Sequence, residues 1–206
     1  MFKDREEAGM LLAKKLKALK EKDMVVVALT RGGVVVGKVI SKILNLEFDI
    51  LVVKKIGAPL NPELAIGAVA PKNTVYWNKD LVLRIGISKE EKEMLKSVKE
   101  VERKVQEKAL RGKAPFNYNS KIVVLVDDGI ATGATVLAAR KFLKKAGANK
   151  VILAVPVIST DTLRDVKRRF DMVVTLKRKR DFMAVGEFYE YFPQVTNEEV
   201  IALLSS

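Results

Sequence analysis

The sequence predicts an α/β fold, a parallel sheet with helices on both faces. Short apolar runs rich in β-branched residues recur along the chain: Met24 to Leu29, Phe48 to Val53, Lys121 to Val126, Val151 to Val157 and Met172 to Leu176. Runs of this kind suit strands buried on both faces. Segments of helical period separate them, which is the βαβ rhythm of a parallel sheet. Chemically distinctive residues follow three of the runs: Thr30-Arg31-Gly32-Gly33, Lys54-Lys55 and Asp127-Asp128. In a parallel sheet all three would lie at the carboxyl edge, where ligand chemistry collects.

The elements follow in order. Asp4-x-x-Glu7 has the form of a capping box and precedes Leu11, Leu12, Leu16 and Leu19, an apolar face of helical period. After the first strand, Gly32-Gly33 breaks the chain, and Val34 to Leu44 reads as a helix because strand, glycines and apolar segment fit a βα unit. From Ile56 to Arg84 the chain carries Gly57, Pro59, Pro62, Gly67 and Pro71 among short β-prone pieces, Thr74 to Trp77 and Leu81 to Arg84, and reads as loops and hairpins. Ser88-x-x-Glu91 opens a long charged helix to about Leu110, ended by Gly112 and Pro115. A helix to Lys145 stopped by Gly147 follows the Lys121 to Val126 strand, and Ser159 or Thr160 caps another to about Phe170. The tail holds Phe182, Phe188, Tyr189, Tyr191 and Phe192, then a short helix after Thr196-x-x-Glu199.

Composition narrows the chemistry. A chain of 206 residues, 49% hydrophobic and 31% charged, can bury one large core, and a single domain over 1–206 is expected. Cysteine and histidine are absent, which excludes disulfides, Cys/His zinc sites and imidazole catalysis. No signal peptide or apolar run of transmembrane length is evident, so a cytoplasmic protein without a membrane partner is expected. A net charge of +13 admits anionic metabolites or nucleic acid as partners. Most of the cations are interleaved with glutamates on helix faces. Lys177-Arg178-Lys179-Arg180 is the exception, and reads either as a solvated loop or as a contact to an anionic substrate, a partner subunit or RNA.

The richest stretch is Val123-Val124-Leu125-Val126-Asp127-Asp128-Gly129-Ile130-Ala131-Thr132-Gly133-Ala134-Thr135. A buried strand ends in two carboxylates, whose mutual repulsion makes a purely structural role for both expensive. Ala131, Thr132, Gly133, Ala134 and Thr135 suit a tight turn whose N–H groups and hydroxyls converge on an anion. A sugar with vicinal hydroxyls on the carboxylates and a phosphate in the turn satisfies both halves. Thr30-Arg31-Gly32-Gly33 suits a second anion, since glycine permits close backbone approach and arginine pairs bidentately with phosphate. Gly32 to Val39 nearly spells a P-loop, yet Val39 stands where a magnesium-binding hydroxyl is needed.

The stretch from Val123 to Thr135 resembles the signature of the type I phosphoribosyltransferases, which bind phosphoribosyl pyrophosphate (PRPP). The segments Lys55 to Val69 and Phe182 to Tyr189 resemble a subgroup of uncharacterised phosphoribosyltransferases, so the resemblance spans most of the chain. It implies a core of about 1–55 and 116–176, a flap within about 56–115 and a hood over the base within about 177–206. It implies a Mg²⁺-dependent glycosyltransferase of nucleotide metabolism, moving the phosphoribosyl group from PRPP to a nitrogenous base with release of pyrophosphate. Asp127 and Asp128 then bind the ribose hydroxyls and orient metal-bound waters. The loop formed by Gly129, Ala131, Thr132, Gly133, Ala134 and Thr135 takes the 5′-phosphate. Thr30, Arg31, Gly32 and Gly33 hold pyrophosphate, often in a strained peptide conformation in these enzymes. Lys54 and Lys55 alternate in direction along a strand, and Lys55 is assigned to the pyrophosphate. Arg31, Asp127 and Asp128 are the expected catalytic residues. Enzymes for 6-oxopurines usually carry an acid at the place of Ala131, so alanine here resembles adenine and orotate enzymes. Family enzymes are often dimers, which implies a homodimer. A PRPP-binding regulator or RNA-binding protein that keeps the fold without the activity is the alternative.

Overall fold

The computed structural model describes residues 1–110, 116–180 and 184–206. Along the chain the strands are β1 (Met24–Leu29), β2 (Glu47–Leu51), β3 (Lys54–Ala58), β4 (Asn61–Ala70), β5 (Thr74–Trp77), β6 (Ile122–Val126), β7 (Lys150–Ser159) and β8 (Met172–Lys179). The helices are α1 (Arg5–Lys17), α2 (Gly32–Leu44), α3 (Lys79–Ile85), α4 (Lys89–Leu110), α5 (Ala134–Lys145), α6 (Thr160–Lys167) and α7 (Asn197–Ser205). Five strands form an all-parallel sheet in the order β2-β1-β6-β7-β8, as the apolar runs predict.

The pleat sends alternate side chains to two cores. Val25, Val27, Val123, Leu125, Leu153 and Val155 meet α5 and α6 through Leu137, Phe142, Leu143, Leu163 and Val166. Val26, Val124, Val126, Ile152 and Ala154 meet α1 and α2 through Leu12, Leu16, Val36 and Ile40. β1 and β6 are fully buried along their lengths, which is why neither shows polar alternation in sequence.

Departures from the sequence reading have local causes. β2 ends at Leu51; Val52 and Val53, both buried, carry the chain out of the parallel sheet, and Lys54-Lys55 begins β3 of a second sheet. That sheet, β3-β4-β5, is antiparallel and packs against α4 and α5. Leu81 to Arg84 is helical, not extended. Asn78 caps α3 through Oδ1, which accepts from Leu81 N at 3.1 Å, and Gly86 closes it at φ +78°. These stop and start signals outweigh the β propensity of Leu and Val. The cationic run is strand through Lys179: Lys177, Arg178 and Lys179 pair with Val157, Ile158 and Ser159 of β7. β8 is an edge strand, where charged side chains remain solvated while the backbone joins the ladder. Phe182, Gly112 and Pro115 lie outside the described residues.

Leu125 is fully buried near the carboxyl end of β6, two residues before Asp127. Leu125→Ala is expected to cost about 2–5 kcal/mol of stability, read as a lowered urea midpoint with little change in slope.

Candidate functional site

The chain runs outward from β1 to β2 on one side and from β6 through β7 to β8 on the other. The strand order therefore reverses between β1 and β6, and a crevice opens at such a switch point. β1 and β6 are in register, Ala28 opposite Val126, so the loops after them leave side by side. One carries Thr30-Arg31-Gly32-Gly33 and the other Asp127-Asp128, residues nearly a hundred positions apart in sequence.

The two loops touch at the glycines. A Cβ on Gly32 would lie 1.8 Å from Asp128 Oδ2, and one on Gly33 would lie 2.9 Å from Asp127 Cα. No other residue permits this approach, so both glycines are needed whether or not an anion is present. The Thr30–Arg31 peptide is cis. Thr30 Oγ1 is buried with no hydrogen-bond partner, and the Arg31 side chain is exposed at the mouth.

The helix N-termini distinguish the site further. Side chains of Asp4, Asn78, Ser88, Ser159 and Thr196 cap α1, α3, α4, α6 and α7. No side chain caps α2, entered through Arg31, or α5, entered through Gly133 at φ +77°. The two helices that open beside the carboxylates thus keep first-turn N–H groups and the positive dipole end for another acceptor. Thr135 lies half-buried in the first turn of α5, and Thr132 is exposed in the preceding loop. Ala131 is exposed, and its carbonyl accepts from Ser159 Oγ and Thr162 Oγ1. Gly129 is held under Val185 and Val157.

The carboxylates are electrostatically unequal. Burial, then the neighbouring Asp128, push Asp127 well above the usual carboxylate range. Burial raises Asp128 as well, but Arg5 opposes the rise by charge and hydrogen bond. Arg5 Nε donates to Asp128 Oδ2 at 2.8 Å, with side chains 8% and 16% exposed. Its Nη1 donates to the Pro193 carbonyl at 2.8 Å, and its guanidinium lies 3.7 Å above the Phe192 ring centroid. Tyr189 Oη donates to the Asp128 carbonyl at 2.6 Å, and burial keeps that phenol protonated by raising its pKa. Sequence reading missed Arg5 and the use of Tyr189. A signal existed for Arg5, which shares its helical face with Ala8, Leu12 and Leu16, a face otherwise apolar.

The lysines divide unexpectedly. Lys55, expected at the pyrophosphate, is exposed and pairs with Glu63 at 3.2 Å across the β3–β4 hairpin. Lys54 is half-buried; burial lowers its pKa, and Arg31 is among the cations that lower it further. Lys54 is therefore the lysine that shares an electrostatic environment with the Arg31 loop. Of the tail aromatics, Tyr189 stacks on Phe192 at 4.8 Å and packs on Phe2. Within the cationic run, Lys177 sits 4.4 Å over the Phe2 ring and Lys179 pairs with Glu187.

The phosphoribosyl transferase domain model matches residues 4–191. The chain belongs to that family. A Mycobacterium tuberculosis protein provisionally named a phosphoribosyl transferase is 39% identical over 206 residues, which cover 99% of this chain and 46% of the relative. The chain thus spans about half the length of the curated relatives it matches. The crystal structure of TT1426 from Thermus thermophilus is 37% identical and superposes with a TM-score of 0.82 over 98% of this chain and 97% of that one. A purine phosphoribosyltransferase from Pyrococcus horikoshii shares the fold, at 19% identity and a TM-score of 0.51 over 92% of this chain and 87% of that one. No helix among the described residues is long and apolar enough to cross a membrane.

Two outcomes test this electrostatic arrangement. Removing Arg5 leaves Asp128 a part-buried charge without its partner, so Arg5→Met is expected to cost about 3–5 kcal/mol at neutral pH. A double-mutant cycle with Asp128→Asn, followed by urea denaturation, should recover most of that loss; strictly additive losses would contradict the pairing. Asp127 has a folded-state pKa above its unfolded value. Its ionisation therefore costs stability as pH rises through that interval, and the cost is absent below the unfolded value. Asp127→Asn is expected to raise Tm by about 2–4 °C at neutral pH, for about 1 kcal/mol in a chain this size. The gain should shrink as thermal melts are repeated toward pH 4.

Proposed function

We propose that this site binds PRPP and transfers its 5-phosphoribosyl group to a nitrogenous base, releasing pyrophosphate. The observation that carries the reading is the pair of adjacent loops at the switch point. Each opens a helix without a side-chain cap, and two carboxylates stand between them. Two anion sites flanking a diol-binding pair match a ribose with phosphate at one end and pyrophosphate at the other.

In this reading, the N–H groups of Gly133, Ala134 and Thr135 with the Thr132 and Thr135 hydroxyls bind the 5′-phosphate. Asp127 and Asp128 accept from the ribose hydroxyls, with Asp128 paired with and oriented by Arg5. Thr30 Oγ1, the Gly32-Gly33 backbone and the α2 N-terminus take pyrophosphate, and Arg31 with Lys54 neutralises charge that grows on it. A bond forms between the base nitrogen and C1 as the C1–oxygen bond breaks, and its electron pair leaves with pyrophosphate. Positive charge gathers on the ribose meanwhile, beside two carboxylates. Such preorganised charge is usually the largest catalytic contribution.

The donor set fits Mg²⁺ as a visitor. The described residues hold no cluster of three or more acidic or imidazole ligands, whereas magnesium retains waters and binds through one or two carboxylates plus substrate phosphates. Asp127 and Asp128 would hold it through water, and when bound it supplies charge neutralisation to the pyrophosphate. A second copy of the chain and a cytoplasmic setting belong to the same reading. The RNA-binding alternative draws less support, since Lys177 and Lys179 already engage Phe2 and Glu187.

Titration calorimetry of PRPP with Mg²⁺ is expected to show binding that Asp127→Asn and Asp128→Asn each weaken by at least about tenfold. A panel of nucleobases scored for pyrophosphate release identifies the acceptor, and Ala131 favours adenine or orotate over hypoxanthine or guanine. Absence of PRPP binding would overturn the reading. Binding without pyrophosphate release from any base would favour the regulator.

A further inference from the structure

Helix α4 turns Leu95, Leu110 and a cluster of ions inward and an unusual stripe of apolar residues outward. A surface helix normally turns its apolar stripe to the core and its charges to water. Here Arg103 is buried with its side chain 3% exposed, forked onto Glu100 at 2.8 and 2.9 Å and bonded to Glu107 at 2.7 Å. On the opposite side, Met94, Val98, Val101 and Val105 are 61%, 52%, 63% and 66% exposed. Their spacing of four, three and four is that of a coiled-coil seam. The ion cluster, with Leu95 and Leu110, holds the inner face against its own domain, and the seam has no partner among the described residues.

The seam is complementary to itself in one orientation. Glu91 and Lys108 occupy the next seam positions at its two ends, and both are exposed. In an antiparallel pairing about a two-fold axis near residues 99 and 100, Val98 meets Val101 of the second copy, Met94 meets Val105, and Glu91 meets Lys108. A parallel pairing instead sets glutamate on glutamate and lysine on lysine, which repel. Glutamates in the first turn and Lys108 in the last also oppose the dipoles of two antiparallel helices favourably. From Glu91 to Lys108 the seam runs about 27 Å. Exposed Leu83 and Ile85 on α3 add apolar surface just before it.

We propose that α4 is the homodimer interface of this protein, an antiparallel two-fold helix pair with Met94, Val98, Val101 and Val105 at its centre. The occupant is a second copy because the seam's charges match its own reverse. Such a dimer requires neither a particular acceptor nor PRPP binding. The interface lies behind the site: α4 packs on β3, and Lys99 and Glu102 contribute to the field at Lys54.

Sedimentation equilibrium of the full chain at about 50 µM, above a micromolar dissociation constant, is expected to return twice 22.9 kDa. Val98→Glu with Val101→Glu places four carboxylates at the two-fold axis and should raise the dimer dissociation constant at least about a hundredfold. Glu91→Lys should weaken the dimer about threefold to tenfold, and adding Lys108→Glu should restore it. The natural absence of cysteine allows a check that does not depend on tolerance of buried charge. Met94→Cys with Val105→Cys should oxidise to a covalent dimer, whereas neither single variant should. A wild-type monomer, or a dimer indifferent to Val98→Glu with Val101→Glu, would overturn the interface. Ready cross-linking of Met94→Cys alone, or no recovery on charge exchange, would overturn the antiparallel arrangement.

Discussion

The Arg5–Asp128 ion pair is the contact on which the arrangement of the site depends. It joins the first turn of α1 to the loop after β6, 123 positions apart, and does so in a partly buried setting where a lone carboxylate would tend to protonate. The same carboxylate lies against Gly32, so its position also dictates which residue the neighbouring loop can carry. The tail closes the assembly: Phe192 stacks on Arg5, the Pro193 carbonyl accepts from it, and Tyr189 holds the Asp128 backbone. Ends of the chain that look peripheral in sequence therefore support the centre. A partly buried charge pair is costly to assemble and costlier to break, which makes it a rigid support.

Around that support the charge is distributed asymmetrically. Two helix N-termini without side-chain caps present positive ends, Arg31 adds a full charge at the mouth, and two carboxylates sit between them. Burial of Asp127 beside Asp128 costs stability that a neutral residue would not. Destabilised carboxylates of this kind are expected where binding demands charge in place before the ligand arrives. The five capped helices elsewhere show that this chain caps its helices readily. The two exceptions fall where an anion would compete with a cap.

The antiparallel sheet and α4 form a second layer with a different logic. Val52 and Val53 lead the chain out of the parallel sheet, and α4 packs over β3 and β4, with Leu95 against the Ile56, Ile66 and Val69 cluster and the Arg103 ions on its inner face. Placing ions inward and valines outward makes sense for a helix whose apolar side faces another surface.

Much of this was readable before any coordinates. The apolar runs determined the parallel sheet because strands buried on both faces cannot hide their composition, and capping residues at Ser88 and Thr196 marked their helices because the cap bond is local. Asp127-Asp128, Thr30 to Gly33 and the Ala131 to Thr135 turn are contiguous motifs at strand ends, so their place at the carboxyl edge of the sheet was legible one segment at a time. The tertiary structure alone decided what lies between segments. It put Arg5 and Tyr189 on Asp128, paired Lys55 with Glu63 across a hairpin, turned Leu81 to Arg84 into helix and drew the Lys177 to Lys179 cations into an edge strand. Each of these rests on a contact between residues far apart in sequence or on a cap that overrides propensity. Local physical chemistry determined the elements and the composition of the loops after β1 and β6; long-range packing determined which charges face one another.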